Sequence, residues 1–185
     1  MKKVLFLLSA LLISIHLLAG NNEPGWTDSE SSRKRFIENK SQFDVLLDPA
    51  QPAVLYAADL GKTKIFFSKQ GLTFRFDEHI RNEKRQKGSP EAKFFVKKDF
   101  VHMQWENASA NVQVIAEEQT EDYFSYLLHN GENLNYVKGY QKLIYKNLYP
   151  YIDVEYVFHP ENGIKYSITL HPGADASQIK MKYRD

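Results

Sequence analysis

Two runs of alternating side chains near the end of this chain constrain its fold more than any other feature. In Tyr151–His159, Ile152, Val154, Tyr156 and Phe158 alternate with Tyr151, Asp153, Glu155 and Val157. In Gly163–Leu170, Ile164, Tyr166, Ile168 and Leu170 alternate with Lys165, Ser167 and Thr169. A period of two sends each set to its own face of a sheet, so one face is apolar and the other largely polar. Between the runs, Pro160-Glu161-Asn162-Gly163 supplies a tight turn, because Pro presets φ and Asn-Gly accepts positive φ. The stretch Tyr145–Tyr183 therefore predicts a β-hairpin, a Pro172-Gly173 turn and one more strand.

The first 20 residues read as an export signal. Lys2 and Lys3 form a positive start, Val4–Leu18 is an apolar run, and Ala19-Gly20 offers small residues for cleavage. The run is short for a membrane span of about 20 apolar residues. Its Leu-Ala-Gly ending looks like a lipobox, but Asn21 follows and the chain has no Cys, which excludes a lipid on cysteine. Removing 20 of 185 residues leaves 165, enough for one domain. Losing Lys2 and Lys3 turns a formal charge of +1 into −1, so no electrostatic case exists for nucleic acid or an anionic membrane. Without cysteine, stability must come from the core, and thiolate chemistry is ruled out. Twelve Phe and 11 Tyr supply side chains that suit strand faces.

Residues 21–35 read as a polar, flexible leader, with a short helix starting near Ser31 and running toward Asn39. The segment Asp48–Pro52 reads as a loop. Three β-rich runs follow, Val54–Asp59, Thr63–Lys69 and Gly71–Phe76, separated by Leu60-Gly61-Lys62 and Gln70-Gly71. Nine of the 17 residues from Asp77 to Lys93 are charged, which breaks the pattern. Acids are interleaved with the bases, so a solvated hairpin loop or frayed helix is a better reading than a basic patch. Strands resume at Phe94–Phe100, Val101–Glu106, Asn111–Glu118, Asp122–His129 and, past Asn130-Gly131, Val137–Tyr149. About ten strands at short spacing predict an all-β, antiparallel, β-sandwich-like domain over residues 36–185, behind a signal peptide (1–20) and the leader (21–35).

Few residues suggest chemistry. Asp153 and Glu155 project from one face of one strand, and a glycosidase needs a carboxylate pair. Such pairs usually face each other across a cleft, so a cross-strand ion pair with Lys165 is the simpler role. His79, His102, His129, His159 and His171 show no metal-ligand spacing, and His159 and His171 flank turns a strand's length apart. Trp105 shares a strand face with Met103 and could stack on a sugar ring if exposed, but a buried Trp is favoured. Trp26 lies in a leader that makes a poor platform. Asn107-Ala108-Ser109 fits a glycosylation acceptor. No catalytic, cofactor-binding or metal-ligating residue is assigned.

Several blocks together carry a resemblance: Phe36-Ile37-Glu38-Asn39-Lys40 with Gln42, Val54–Asp59, Gly71-Leu72-Thr73-Phe74, Asp122–Tyr126, Tyr145–Asp153, Gly163–Tyr166 and Pro172–Asp175. They resemble a domain of unknown function at the N-terminus of large secreted proteins of Bacteroidota and some other bacteria. There it precedes SBBP beta-propeller repeats, PKD-like modules or a gliding-motility-associated C-terminal sorting domain. The family pattern has Gly where Ser41 and Tyr151 stand here. The resemblance implies a β-rich extracellular module exported through Sec and, in longer relatives, by type IX secretion, with no catalytic residues to carry over.

The expected function is thus a noncatalytic structural or binding module of a secreted or cell-surface protein, periplasmic if it lacks a sorting domain, and without cofactor. Its expected partners are downstream domains or other surface proteins, not nucleic acid, with no stable membrane span after cleavage. The alternative is a carbohydrate-binding or carbohydrate-processing domain using Trp105, Asp153 and Glu155. Members of the resembling family continue past Tyr183, so the resemblance also implies a domain truncated at its C-terminus, whose shortened sheet is expected to leave an unpaired edge that invites self-association. A charge at Tyr156 or at Ile168, both on the apolar hairpin face, is expected to unfold the domain.

Overall fold

A computed structural model describes residues 34–44, 52–84, 93–128, 130–161 and 163–185. The export signal, the leader up to Arg33 with Trp26, and His129 lie outside the described residues. Ten strands follow in chain order: β1 (Phe36–Glu38), β2 (Val54–Leu60), β3 (Thr63–Ser68), β4 (Gly71–Arg81), β5 (Phe94–Trp105), β6 (Gln113–Leu127), β7 (Asn133–Tyr149), β8 (Ile152–Phe158), β9 (Ile164–Leu170) and β10 (Met181–Arg184). A 3-10 turn, Ala176–Gln178, precedes β10 and is capped by Asp175, whose side chain accepts from the Ser177 amide. Every strand pairing is antiparallel. Among the described residues no helix is long and apolar enough to cross a membrane.

The strands form one continuous curled sheet in the order β10-β5-β4-β3-β2-β1-β7-β8-β9, with β6 on the remaining edge of β7. The expected all-β antiparallel architecture holds at that level, but the ladder is not divided into two separately bonded sheets. The register shows why. Tyr140 of β7 pairs with Phe36 on one side and Gln119 on the other, whereas Lys142 pairs with Val157 and Glu117. Strands β1 and β8 therefore share one edge of β7 in succession, and β7 carries the ladder from one limb of the curl into the other. Strong bends make this possible. The β6–β7 pairing slips between Gln119 and Tyr123, and Glu118 and Tyr136 take positive φ of 57° and 59°. At Gly139 in the bend, a Cβ would come within 3.1 Å of the Phe124 ring and the Thr120 hydroxyl.

The curl brings β3–β5 against β7–β9. Between them lies the main core, in which Phe36, Phe67, Trp105, Leu143, Tyr145, Leu148, Tyr149, Ile152, Val154 and Tyr156 are almost fully buried. Aromatic edges meet faces across it: Phe67 and Tyr156 lie 5.4 Å apart, and Trp105 and Tyr166 lie 6.2 Å apart. A second, smaller core of Ile37, Phe43, Ala57, Phe66 and Val137 covers the opposite face of β1–β3. Consecutive residues Phe36/Ile37 and Phe66/Phe67 can both be buried because the sheet is covered on both faces there.

The three runs from Val54 to Phe76 and the final hairpin form as expected, and Gly61, Gly131 and Gly163 take positive φ in their turns. Two local expectations are corrected. The end of the proposed helix, Phe36–Glu38, is a strand, because β2 and β7 offer it ladder partners on both sides. Lys34 and Arg35 are likewise fixed to the domain: Lys34 Nζ donates to the Pro160 carbonyl at 2.7 Å, and Arg35 lies 3.7 Å from Asp122. The second correction concerns the charged segment from Asp77, whose first five residues continue β4 to Arg81. Asp77 stands opposite Lys98 and Glu78 opposite Lys97, so the charges that look like a break are cross-strand complements.

Candidate functional site

A polar cluster centred on Asp153 is built at the β7–β8 corner. The ladder between these strands slips between Tyr145 and Tyr149, where Asn147 takes a positive φ of 51°. Pro150 and Tyr151 then form a two-residue connection, with Pro at the second position and positive φ (62°) at the third, as a type II turn requires. The bulge leaves a backbone amide without a strand partner, and Asp153 supplies one. Its Oδ1 accepts from the Asn147 amide at 2.8 Å. Its Oδ2 accepts from Lys146 Nζ at 2.8 Å and lies 2.9 Å from His171 Nε2. A carboxylate can only accept, so the imidazole proton sits on Nε2.

Asp153 is only 7% exposed. Burial alone would raise its pKa, but hydrogen bonds from Lys146, the Asn147 amide and His171, with the Lys146 charge, hold it at about 2. Such a carboxylate is a weak base at neutral pH, and all of its bonds tie β7, β8 and the segment after β9 together. The group therefore acts as a structural clasp. The sign of its pH dependence follows from a folded pKa below the unfolded value of 3.8. The stabilisation is fully present above pH 3.8 and is lost as pH falls through about 2. Asp153→Asn should lower unfolding free energy by roughly 2 kcal/mol at pH 6. Urea titrations of both proteins should show that gap closing toward pH 2. A gap unchanged by acid would refute the clasp.

The other candidates are dispersed. Glu155 does not pair with Lys165, which stands opposite Val157; it lies 3.7 Å from Lys142, which also contacts Glu117 and Glu118. The two acids share a face but serve different bonds. His171 and His159 sit at opposite ends of β9, and His159 Nδ1 accepts from the Glu161 amide at 3.2 Å. His102 Nδ1 lies 3.0 Å from the Thr73 hydroxyl, and His79 stands in β4. Among the described residues no group of three or more His, Cys, Asp or Glu side chains converges as metal ligands would. Trp105 is 1% exposed, with Nε1 donating to the Tyr156 hydroxyl at 3.2 Å, so it cannot stack on a sugar.

The blocks that carry the family resemblance are also structural. Asn39 donates to the Val54 carbonyl and accepts from the Phe43 amide, while Gln42 donates to the Glu38 carbonyl and accepts from the Lys40 amide. Tyr145 donates to the Ser68 carbonyl and Tyr149 to that of Glu106, each at 2.8 Å, fastening β7 to the opposite limb. A Cβ on Gly71 would overlap the Met103 carbonyl oxygen, so close approach of β4 to β5 requires glycine there. Ser41 and Tyr151, which stand where the resembling family has glycine, both take left-handed φ, 79° and 62°.

Sequence reasoning missed the exposed surface. The β4–β5 pairing runs on past its neighbours, since β3 reaches only to Phe76, opposite Thr63, and β10 only to His102, opposite Arg184. Asp77–Arg81 and Phe94–Lys98 thus form a two-stranded arm. Ile80 (44%), Phe94 (47%), Phe95 (55%) and Val96 (43%) are exposed on it. On the β6–β7 hairpin, Tyr123 and Tyr136 form another exposed aromatic pair, with ring centres 4.7 Å apart. The arm's only sequence signal is Asp77-Glu78 facing Lys97-Lys98.

A search of curated proteins and a search of solved structures give no match. The model of a domain of unknown function, DUF7948, matches residues 36–185, from the first residue of β1 to the last residue of the chain. With 150 of its 185 residues covered, the chain belongs to the DUF7948 family.

Proposed function

We propose that this domain is a noncatalytic contact module of an exported protein, secreted or held at the cell surface, that joins adjoining domains or other surface proteins. The observation that carries the reading is the β4–β5 arm. A lone two-stranded ribbon is marginal in water, and this one displays large apolar side chains on both faces. Register places Ile80 opposite Phe95 on one face and Val96 opposite His79 on the other. Contact with a partner would cover them. The export signal read in Met1–Gly20 and the resemblance to secreted Bacteroidota proteins with SBBP repeats or gliding-motility sorting domains support a partner outside the cytoplasm.

The test uses the full chain in an exporting host, with the photoreactive residue p-benzoylphenylalanine in place of Phe95. The mature protein should begin at Gly20 or Asn21, and irradiation should give a discrete adduct with a surface protein. Addition of Ile80→Asp should abolish the adduct while leaving the melting transition in place. No adduct, or turnover of a glycan or peptide that Asp153→Asn removes from a folded protein, would overturn the proposal. One observation favours glycan binding as a second reading: the exposed Tyr123–Tyr136 pair is an aromatic platform of the kind sugars stack on. Glycan-array binding lost in Tyr136→Ala would support it.

A further inference from the structure

The two ends of the curled sheet, β9 and β10, border the same core and leave it open between them. Met181 stands opposite Trp105, and Tyr183 opposite Met103. Across the opening, Tyr166 stands opposite Tyr156, and Leu170 opposite Ile152. Directly opposed residues project from the same face of a sheet. Trp105, Met103, Tyr156 and Ile152 are all buried in the main core, so their four partners face inward as well. Yet Met181 is 37% exposed, Tyr166 46%, Leu170 52% and Tyr183 61%. These core-facing side chains are only partly covered.

The limbs do meet behind this seam. Trp105 of β5 reaches across to the Tyr156 hydroxyl, and its ring stands at 81° to that of Tyr166 on β9. Among the described strands, β10 pairs only with β5, and β9 only with β8. Each strand therefore presents a row of outward N–H and C=O groups, the template for an added strand. Basic side chains stand among the outward-facing ones beside it, with the uncharged Ser167 and Thr169 between them on β9. Lys165 lies on β9, Lys182 and Arg184 lie on β10, and Lys180 stands just before it. None of the four is ion-paired with a described acid. Arg184 instead donates to Gln104 at 3.2 Å.

We propose that this seam is a strand-accepting site for an extended segment of a partner protein. The segment carries apolar side chains at every second position and acidic ones between them. Its backbone completes the ladder of β9 or β10, its apolar side chains cover Tyr166, Leu170, Met181 and Tyr183, and its carboxylates meet the basic rim. The same rim disfavours a second copy of this chain, because pairing β10 with β10 would set Lys182 and Arg184 against their own kind. This deepens the contact-module reading by naming the partner's chemistry, but it uses residues remote in sequence from the β4–β5 arm.

The probe is a fluorescein-labelled eight-residue peptide of alternating Val and Glu, titrated against the full mature chain by fluorescence anisotropy. Saturable binding is expected, weakening with added salt. It should fall about tenfold or more in Lys182→Glu/Arg184→Glu, a surface pair whose loss leaves the core intact. Methylating alternate peptide amides should abolish it, because the ladder bonds would be lost. Absence of binding, equal binding by the methylated peptide, or indifference to the charge reversal would each overturn the proposal. So would sedimentation showing a dimer that Tyr183→Asp dissociates, which would assign the seam to a second copy. The Ile80→Asp variant should bind the peptide normally, so failure at the seam and failure at the arm are separable.

Discussion

Tyr156→Asp should abolish the cooperative thermal transition. Tyr156 is 2% exposed, with ring centres of Phe67 and Tyr145 each 5.4 Å away and Tyr166 at 6.1 Å. Burial drives its phenol pKa far upward, so the site disfavours a negative charge. An aspartate placed there must ionise inside an aromatic cage or stay protonated, at about 4–7 kcal/mol if its pKa rises by about 3–5 units. Losing the ring adds about 3–5 kcal/mol. Together these rival the about 5–15 kcal/mol that holds a whole domain. Tyr156→Phe keeps the ring and removes only the acceptor of the Trp105 bond, so it should cost about 1–2 kcal/mol and still melt cooperatively. Circular dichroism melts of the two variants check both outcomes. A cooperative melt for Tyr156→Asp near the wild-type temperature would mean that β8 does not face the core.

Alternation alone predicts an equally severe effect for Ile168→Asp, because both residues belong to the apolar hairpin face. The structure separates them. Tyr156 lies on β8 between two paired neighbours, whereas Ile168 lies on β9, an end strand, and is only half-buried. Alternation reports which face a residue occupies. It does not report whether another layer covers that face, because the cover here comes from β3 and β5, about 50 to 100 residues away.

The same distinction explains what could be read from the chain. Strands and tight turns were legible because alternation and residues such as Gly163 act locally. The β7 handover from β1 to β8 was not, because it depends on bulges at Asn147 and at Gln119–Tyr123 that carry no Gly or Pro signal. Asp153 was legible as a strand acid with a same-face neighbour. Its partners were not, since Lys146 lies across a slipped register and His171 beyond the next strand. Trp105 reads as a core residue in the sequence and is one in the fold. The arm was hidden because Asp77-Glu78 looks like a solvated break unless it is set against Lys97-Lys98.

The second large effect is expected from Asp77→Ala. Arg75 and Asp77 alternate onto the same face of β4, and their side chains are 6% and 11% exposed. The guanidinium meets the carboxylate with two contacts, Nε to Oδ1 at 2.9 Å and Nη2 to Oδ2 at 3.0 Å, and lies 5.8 Å from the centre of the Phe66 ring. Removing the acid strands a buried cation, since Arg cannot shed its proton. The loss should reach about 3–5 kcal/mol. Asp77→Ala combined with Arg75→Met removes both charges and keeps most of the volume over Phe66, so it should recover most of that loss. Urea unfolding of the two single variants and the double gives the coupling directly. A double variant no more stable than Asp77→Ala would mean that Asp77 is needed for something other than neutralising Arg75. The obvious alternative is its place opposite Lys98 at the root of the arm.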